Sequence, residues 1–512
     1  MTDTPWQQDA SSLVDAFRAG ERSPLEELDA TLAAIEASDL NAFSFVDPER
    51  AREVASKADI SLPFGGVPTG IKELESLKGW PDTHASLVFK DRIAQQTEHS
   101  LLKLLGEGGV VPVGLTTASE FGGLNVSVTK LNGVTHNPWK HGRTVGGSSS
   151  GAAAAVMGGL VSLGTGGDGG GSIRIPAGYT GLLGMKGTFG RITRGPDAYM
   201  RPHTVVLGNL SRSVRDAARF FDVCAGVDPY DPTSLPSPGG WERNLGSHDL
   251  KGKRMAIVPA LGGVKLEPGV EDRIRAEAET LARETGMELV DIDVRPPNMA
   301  AQWMMGNLAT LLGELGPHWP RCANDLTNEV AIGLFLSQAF YNLTTASVAE
   351  DMRVEANRVM AAAFEQVDFI VSATNPGPAF AAESTTSNPE KDITDYLDSN
   401  VGRLGLRGVL GTARVAAAFA PKLPNFILDQ GSKRMPDMSA MGALTIISNI
   451  YGNPAVSIPA GTIGGLPVGM QVLARHHHDA LLFDVALHVE RNHPWPMVAP
   501  SVSAAATAAA GH

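Results

Sequence analysis

Between residues 10 and 37 apolar side chains recur with helical spacing, at Leu13, Phe17, Leu25, Leu28, Leu32 and Ile35, and each is predicted to face inward. Gly20 interrupts the pattern and Ser23-Pro24 restarts it as an N-cap and first turn, so two helices are expected. From about residue 65 the pattern changes. Short apolar runs at 109–114, 151–157, 160–163, 254–259 and 288–294 alternate with helical stretches, including the alanine run after Gly151 and a charged amphipathic helix near 269–285. This alternation predicts an α/β fold, a sheet with helices on both faces. Residues 296–366 carry Met, Leu and Ala at helical spacing without strand signals and read as a helical insertion. Strand patterns return at 367–373, 453–460 and 466–474. The expected organisation is a helical wrapper over 1–64, an α/β domain over 65–500 interrupted by the insertion, and a low-complexity tail over 501–512.

Composition narrows the function classes. The 512 residues carry a formal charge of −13 and no long basic run, which argues against nucleic acid or an anionic membrane as partner. Cys224 and Cys322, the only two cysteines, lie far apart and form neither a disulfide framework nor a metal-type cluster. The N-terminus has no basic stretch followed by an apolar one, and the apolar run 151–164 is too short to span a bilayer, so a cytoplasmic protein is expected. His476-His-His478 carries no metal expectation, because three adjacent histidines cannot all face one ion.

The chemistry concentrates in two glycine-serine clusters, Gly146-Gly-Ser-Ser-Ser-Gly151 and Asp168-Gly-Gly-Gly-Ser-Ile-Arg174. Gly169, Gly170 and Gly171 let backbone amides converge ahead of Ser172, as a developing oxyanion requires. Two generic motifs compete for the same residues. Gly147-Ser-Ser149-Ser-Gly151 fits a nucleophile elbow on Ser149, but no buried strand precedes it. Gly164-Thr-Gly-Gly-Asp-Gly169 fits a dinucleotide loop, but no helix or spaced acidic residue follows, so an oxidoreductase is a distant alternative.

In order along the chain, Gly66-Val-Pro-Thr-Gly-Ile-Lys-Glu73, Thr117-Ala-Ser-Glu-Phe121, Asn137-Pro-Trp139, the two glycine-serine clusters, Asp368-Phe-Ile-Val-Ser-Ala373 and Gly465-Leu-Pro-Val-Gly-Met-Gln471 resemble the amidase signature hydrolases over roughly residues 10–490. The resemblance implies a large mixed, twisted sheet and a Ser-Ser-Lys triad: Ser172 as nucleophile, Ser148 as bridging serine on a cis peptide, and Lys72 as base. It implies an oxyanion hole of Gly169, Gly170 and Gly171 amides, with Ser149, Asp168 and Arg174 as supporting residues; for Asp168 and Arg174 a structural ion pair stays open. It further implies that Gly122, Gly123 and Leu124 edge the acyl site, where two glycines leave room for a bulky or aromatic group. The implied activity is cofactor-independent hydrolysis of a small amide, anilide, ester or carbamate. A glutamine-dependent amidotransferase of the A type, working with a partner protein, is the alternative, and a homodimer stays open.

Two positions depart from the family pattern. Glu73 stands where aspartate is usual, and Gly167 where threonine is usual, a loss that Thr165 is a candidate to offset. The side chains of Met304, Met305, Phe335 and Phe340 read either as helix core or as the lining of an apolar substrate tunnel.

Overall fold

A computed structural model describes residues 4–197, 204–383 and 442–501. The first helices run Ala10–Ala19 and Pro24–Ala37. Ser23 and Glu26 bond each other's backbone N–H as a capping box, and Gly20 adopts φ 72° to close the first helix. Leu13, Phe17 and Leu28 are buried as expected, but Leu25 is 39% exposed. Glu27, bonded to Trp6 N and paired with Arg22, takes the buried stripe instead and turns Leu25 to its margin.

Among the described residues thirteen strands follow in chain order: β1 (Phe43–Val46), β2 (Pro68–Lys72), β3 (Val111–Thr116), β4 (Val128–Thr129), β5 (Gly133–Val134), β6 (Leu163–Asp168), β7 (Leu183–Lys186), β8 (Val206–Ser211), β9 (Arg254–Ile257), β10 (Glu288–Leu289), β11 (Phe369–Ala373), β12 (Ala455–Ile463) and β13 (Leu466–Ala474). Eleven form one mixed sheet in the order β1-β3-β2-β6-β8-β7-β12-β13-β11-β9-β10, and β4 and β5 form a separate hairpin. β2 runs parallel to β3 and β6, whereas the β6-β8-β7-β12-β13-β11 stretch is antiparallel throughout. The N-terminal segment is part of this sheet, since β1 pairs antiparallel with β3 at one edge. Residues 296–366 are helical as expected, in segments Ala300–Leu315, Asn328–Phe340 and Leu343–Gln366. The side chains of Met304 and Met305, and the tail beyond Ser501, lie outside the described residues.

Two strand expectations shift. The 288–294 run pairs only over Glu288–Leu289, an exposed edge. The strand expected at 160–163 instead runs Leu163–Asp168, through Leu-Gly-Thr-Gly-Gly-Asp. Its glycines follow from close packing: a Cβ on Gly164 would lie 3.0 Å from Ala152 Cβ, in the helix Ser150–Met157 behind the strand. Leu163, one residue earlier, turns to the opposite face and joins the main core with Ile71 and Leu183. That core also holds Leu13, Phe17, Leu104 and Phe221 from helices, so helices cover both faces of the sheet.

β6 ends at Asp168, whose carboxylate pairs with the Arg174 guanidinium: Nε to Oδ2 and Nη2 to Oδ1 are each 2.9 Å, and both side chains are fully buried. Arg174 also donates to Thr445 O, Ser448 Oγ and Asn449 Oδ1 at or beside the helix Ile446–Tyr451, and to Gln471 Oε1 on β13. Burial would raise the Asp168 pKa, but Arg174 overrides it and holds the carboxyl well below its ordinary range. The pair thus joins segments some 270 to 300 residues apart in sequence. Replacing Asp168 by asparagine leaves a buried guanidinium without its counter-charge, so Asp168→Asn is expected to lower unfolding stability by about 3–5 kcal/mol. Urea denaturation measures this, and a loss under about 1 kcal/mol would contradict it.

Candidate active site

Lys72 is the last residue of β2, where Thr165 on neighbouring β6 accepts a 2.8 Å bond from its backbone N–H. Its side chain is 2% exposed. Nζ lies 2.9 Å from Ser148 Oγ, 2.8 Å from Ser149 Oγ and 3.2 Å from Gly167 O. Burial pushes its pKa down to about 8, against the pull of Glu75, Asp168 and Glu98. A neutral amine has two N–H donors and one lone pair. Those suit one carbonyl and two hydroxyls, with the lone pair left to accept a proton from a serine.

The peptide Gly147–Ser148 is cis. Ser119 N donates to Ser148 O at 3.3 Å, and Gly151 N to Thr117 O at 2.8 Å, so the 117–119 segment holds the serine cluster on β3's side. Ser149 occupies the N-cap position of the helix Ser150–Met157 with no strand immediately before it, which does not fit the elbow geometry. Ser149 is thus a direct hydrogen-bond partner of Lys72 Nζ.

Ser172 is 6% exposed and sits in the turn between β6 and the helix Arg174–Thr180. Its carbonyl accepts from Ser149 N at 3.3 Å, tying the two clusters together. Its hydroxyl bonds no described residue, leaving it open to an incoming group.

The three glycines divide in their roles. Gly171 N–H donates to Asp168 Oδ1 at 2.7 Å, in a backbone of φ 128°, so of the three amides expected to face an oxyanion this one is already bonded to a carboxylate. Gly170 N–H has no hydrogen-bond partner among the described residues. Gly169 precedes it directly after β6.

The rim comes from Glu120–Gly122 and its neighbours. A Cβ on Gly122 would lie 3.5 Å from Ser148 Oγ and one on Gly123 3.7 Å from Val330, so this edge adjoins both the serine cluster and the helical insertion. Leu124 packs half-buried against Val126, Ile175 and Tyr179. Glu120 anchors the rim, its Oε2 accepting from Thr327 N and Oγ1 at 2.7 Å each.

The unusual positions resolve differently. Glu73 turns from Lys72 towards Thr83 and Asn132, which bond its two oxygens at 2.6 and 2.7 Å. Thr165 serves the lysine backbone and does not replace a hydroxyl beside Gly167, whose carbonyl meets Lys72 Nζ. The histidines diverge as expected, His476 Nε2 meeting Tyr451 O at 2.7 Å while His477 turns its backbone to Thr188. Among the described residues no group of three or more His, Cys, Asp or Glu is placed to hold a metal, and no helix is long and apolar enough to cross a membrane. Trp303, whose indole bonds Gly169 O, carries no motif signal in the sequence.

Comparison with known proteins places the fold and the family. Residues 26–403 match the family model described as Amidase. The A subunit of glutamyl-tRNA(Gln) amidotransferase from Salinispora tropica is 30% identical, over 94% of this chain and 96% of that relative. The same-named protein of Akkermansia muciniphila is also 30% identical, over 91% and 96%. Among solved structures, a bacterial aryl acylamidase of the amidase signature family superposes with a TM-score of 0.81 at 24% identity, covering 99% of both chains. A 6-aminohexanoate cyclic dimer hydrolase gives 0.78 at 23%, covering 97% and 99%. With its mixed eleven-stranded sheet and its ordered lysine and serine segments, the chain belongs to the amidase signature family of enzymes.

Proposed function

We propose that the protein hydrolyses a carboxylic amide through an acyl-enzyme on Ser172. The observation that carries this reading is the buried Lys72 amine, 2.9 Å from Ser148 Oγ and beside the turn that bears Ser172. Neutral Lys72 takes the Ser148 proton while Ser148 takes that of Ser172. Ser172 Oγ then bonds the carbonyl carbon, and the carbonyl oxygen gains the negative charge. Gly170 N–H stabilises that oxygen, with Gly169 N–H as a second donor. As the carbon–nitrogen bond breaks, the proton returns from Lys72 through Ser148 to the departing amine. Water repeats the sequence on the acyl-enzyme, releasing the acid and restoring Ser172.

The glycine rim and the apolar Phe121, Leu124 and Val330 support a bulky or aryl acyl group, with aryl esters or carbamates as side substrates. A second reading, one component of a glutamine-dependent amidotransferase, is favoured by the names of the curated relatives. Supplied with glutamine alone, the protein is expected to release ammonia far more slowly than it cleaves an anilide. Ammonia release at an equal or faster rate would favour the amidotransferase.

Ser172→Ala is expected to retain the wild-type melting temperature and to lose more than about 10³-fold in kcat/KM on an anilide. Undiminished turnover by the purified variant would remove Ser172 from its role.

Because burial lowers the Lys72 pKa to about 8, the neutral base accumulates as pH rises through that value. kcat/KM should accordingly climb between about pH 6 and 9 and then level. Lys72→Ala should abolish that rise and lose at least about tenfold more activity on an anilide than on the matching p-nitrophenyl ester, roughly 1.4 kcal/mol, because phenolate leaves without a proton. Equal losses on both substrates at every pH would deny Lys72 the role of leaving-group acid.

A further inference from the structure

The helical insertion reaches the glycine turn through the Trp303 side chain. Trp303, in the helix Ala300–Leu315, donates its indole Nε1–H to Gly169 O at 2.7 Å. Its ring lies over the next residue: a Cβ on Gly170 would stand 3.0 Å from Trp303 Cζ2 and 3.1 Å from Cε2. Gly170 is therefore the residue that lets the indole approach.

In a trans peptide the carbonyl and the following N–H lie in one plane and point in opposite directions. A bond that fixes Gly169 O therefore also aims Gly170 N–H, away from the indole. The next peptide is fixed by other groups, since Thr445 Oγ1 donates to Gly170 O at 2.6 Å and Gly171 N–H reaches Asp168. Asp168 and Thr445 thus hold the Gly170–Gly171 peptide, and the Gly169–Gly170 peptide has Trp303. Without it, two consecutive glycines would rotate about a backbone that no Cβ restrains.

We propose that Trp303 is a positioning residue for the oxyanion hole, its indole N–H holding the Gly169–Gly170 peptide so that Gly170 N–H meets the developing oxyanion. The proposal rests on the reading of Ser172 as nucleophile. It also gives the insertion a part in the reaction. The insertion binds the rim through Thr327 and Glu120, packs against Phe121, and reaches the oxyanion turn through Trp303. The element beside the acyl site therefore also sets the amide that polarises the carbonyl.

The test uses the full chain and a fluorophosphonate probe, whose phosphoryl oxygen occupies the same hole as a substrate oxyanion when serine attacks. Trp303→Phe keeps a ring and removes the donor. Trp303→His restores a ring N–H, and replacement of Trp303 by 3-benzothienylalanine exchanges N–H for sulfur at nearly constant shape. The phenylalanine and benzothienyl variants are expected to label Ser172 at least about tenfold more slowly than wild type, less than the roughly 10²–10³ for loss of an oxyanion donor itself. Their kcat on an anilide should fall by a similar factor while KM stays within about twofold of wild type, and Trp303→His should recover at least about threefold in kcat. If Trp303→Phe does not fold, the benzothienyl variant decides alone. Wild-type labelling of Ser172 that both donor-free variants match would overturn the proposal, as would a rise in KM with kcat and labelling unchanged. A wild-type protein that neither labels at Ser172 nor cleaves any amide would instead overturn the reading beneath it.

Discussion

The buried pair of Asp168 and Arg174 ties together the segments around the proposed reaction centre. A carboxylate and a guanidinium removed from water are tolerable only when nearly every donor and acceptor finds a partner, and here they do. Asp168 takes Gly171, Ile173 and Arg174 amides as well as Asn449 Nδ2. Those amide bonds bend the chain from β6 into the helix Arg174–Thr180, and the bend carries Ser172. Arg174 meanwhile draws in the helix Ile446–Tyr451 and β13, so that Thr445 arrives beside Gly170. The turn owes its shape to a charge pair below it rather than to the glycines, which only permit the shape.

Lys72 illustrates the complementary constraint. A lysine at this depth loses hydration, which favours its neutral form, yet Glu75, Asp168 and Glu98 favour the charged one. Glu75 is buried and Glu98 half-buried, and desolvation pushes both carboxyls up, which moderates their hold on the lysine. The balance leaves the amine's pKa at about 8, as the proposed acid–base role requires. Glu73, next in sequence, turns from that amine, its two oxygens bonded by Thr83 and Asn132.

Much of this is legible in the residues. Periodicity locates the helices over 296–366 and the capped break at Ser23, and the ordered motifs bring Lys72, Ser148 and Ser149 to one cluster and Ser172 next to it. What escapes has physical reasons. β6 has almost no apolar residues, because an alanine helix packs too closely for side chains, so hydrophobic pattern does not find it. Leu25 departs from its apolar stripe because a buried glutamate, Glu27, overrides it. The engagement of Gly171 by Asp168 and the reach of Trp303 to Gly169 join partners whose relation only the folded chain creates.

Covalent chemistry at one oxygen, Ser172 Oγ, is the centre of the proposed reaction. The direct measurement is to quench the protein in acid during turnover of a slowly deacylated aryl ester, weigh the intact chain and map the adduct by peptide sequencing. An added acyl mass located on Ser172, and absent when Ser172 is alanine, is the predicted result. An acyl group on Ser149, or turnover with no adduct at any time point, would contradict it.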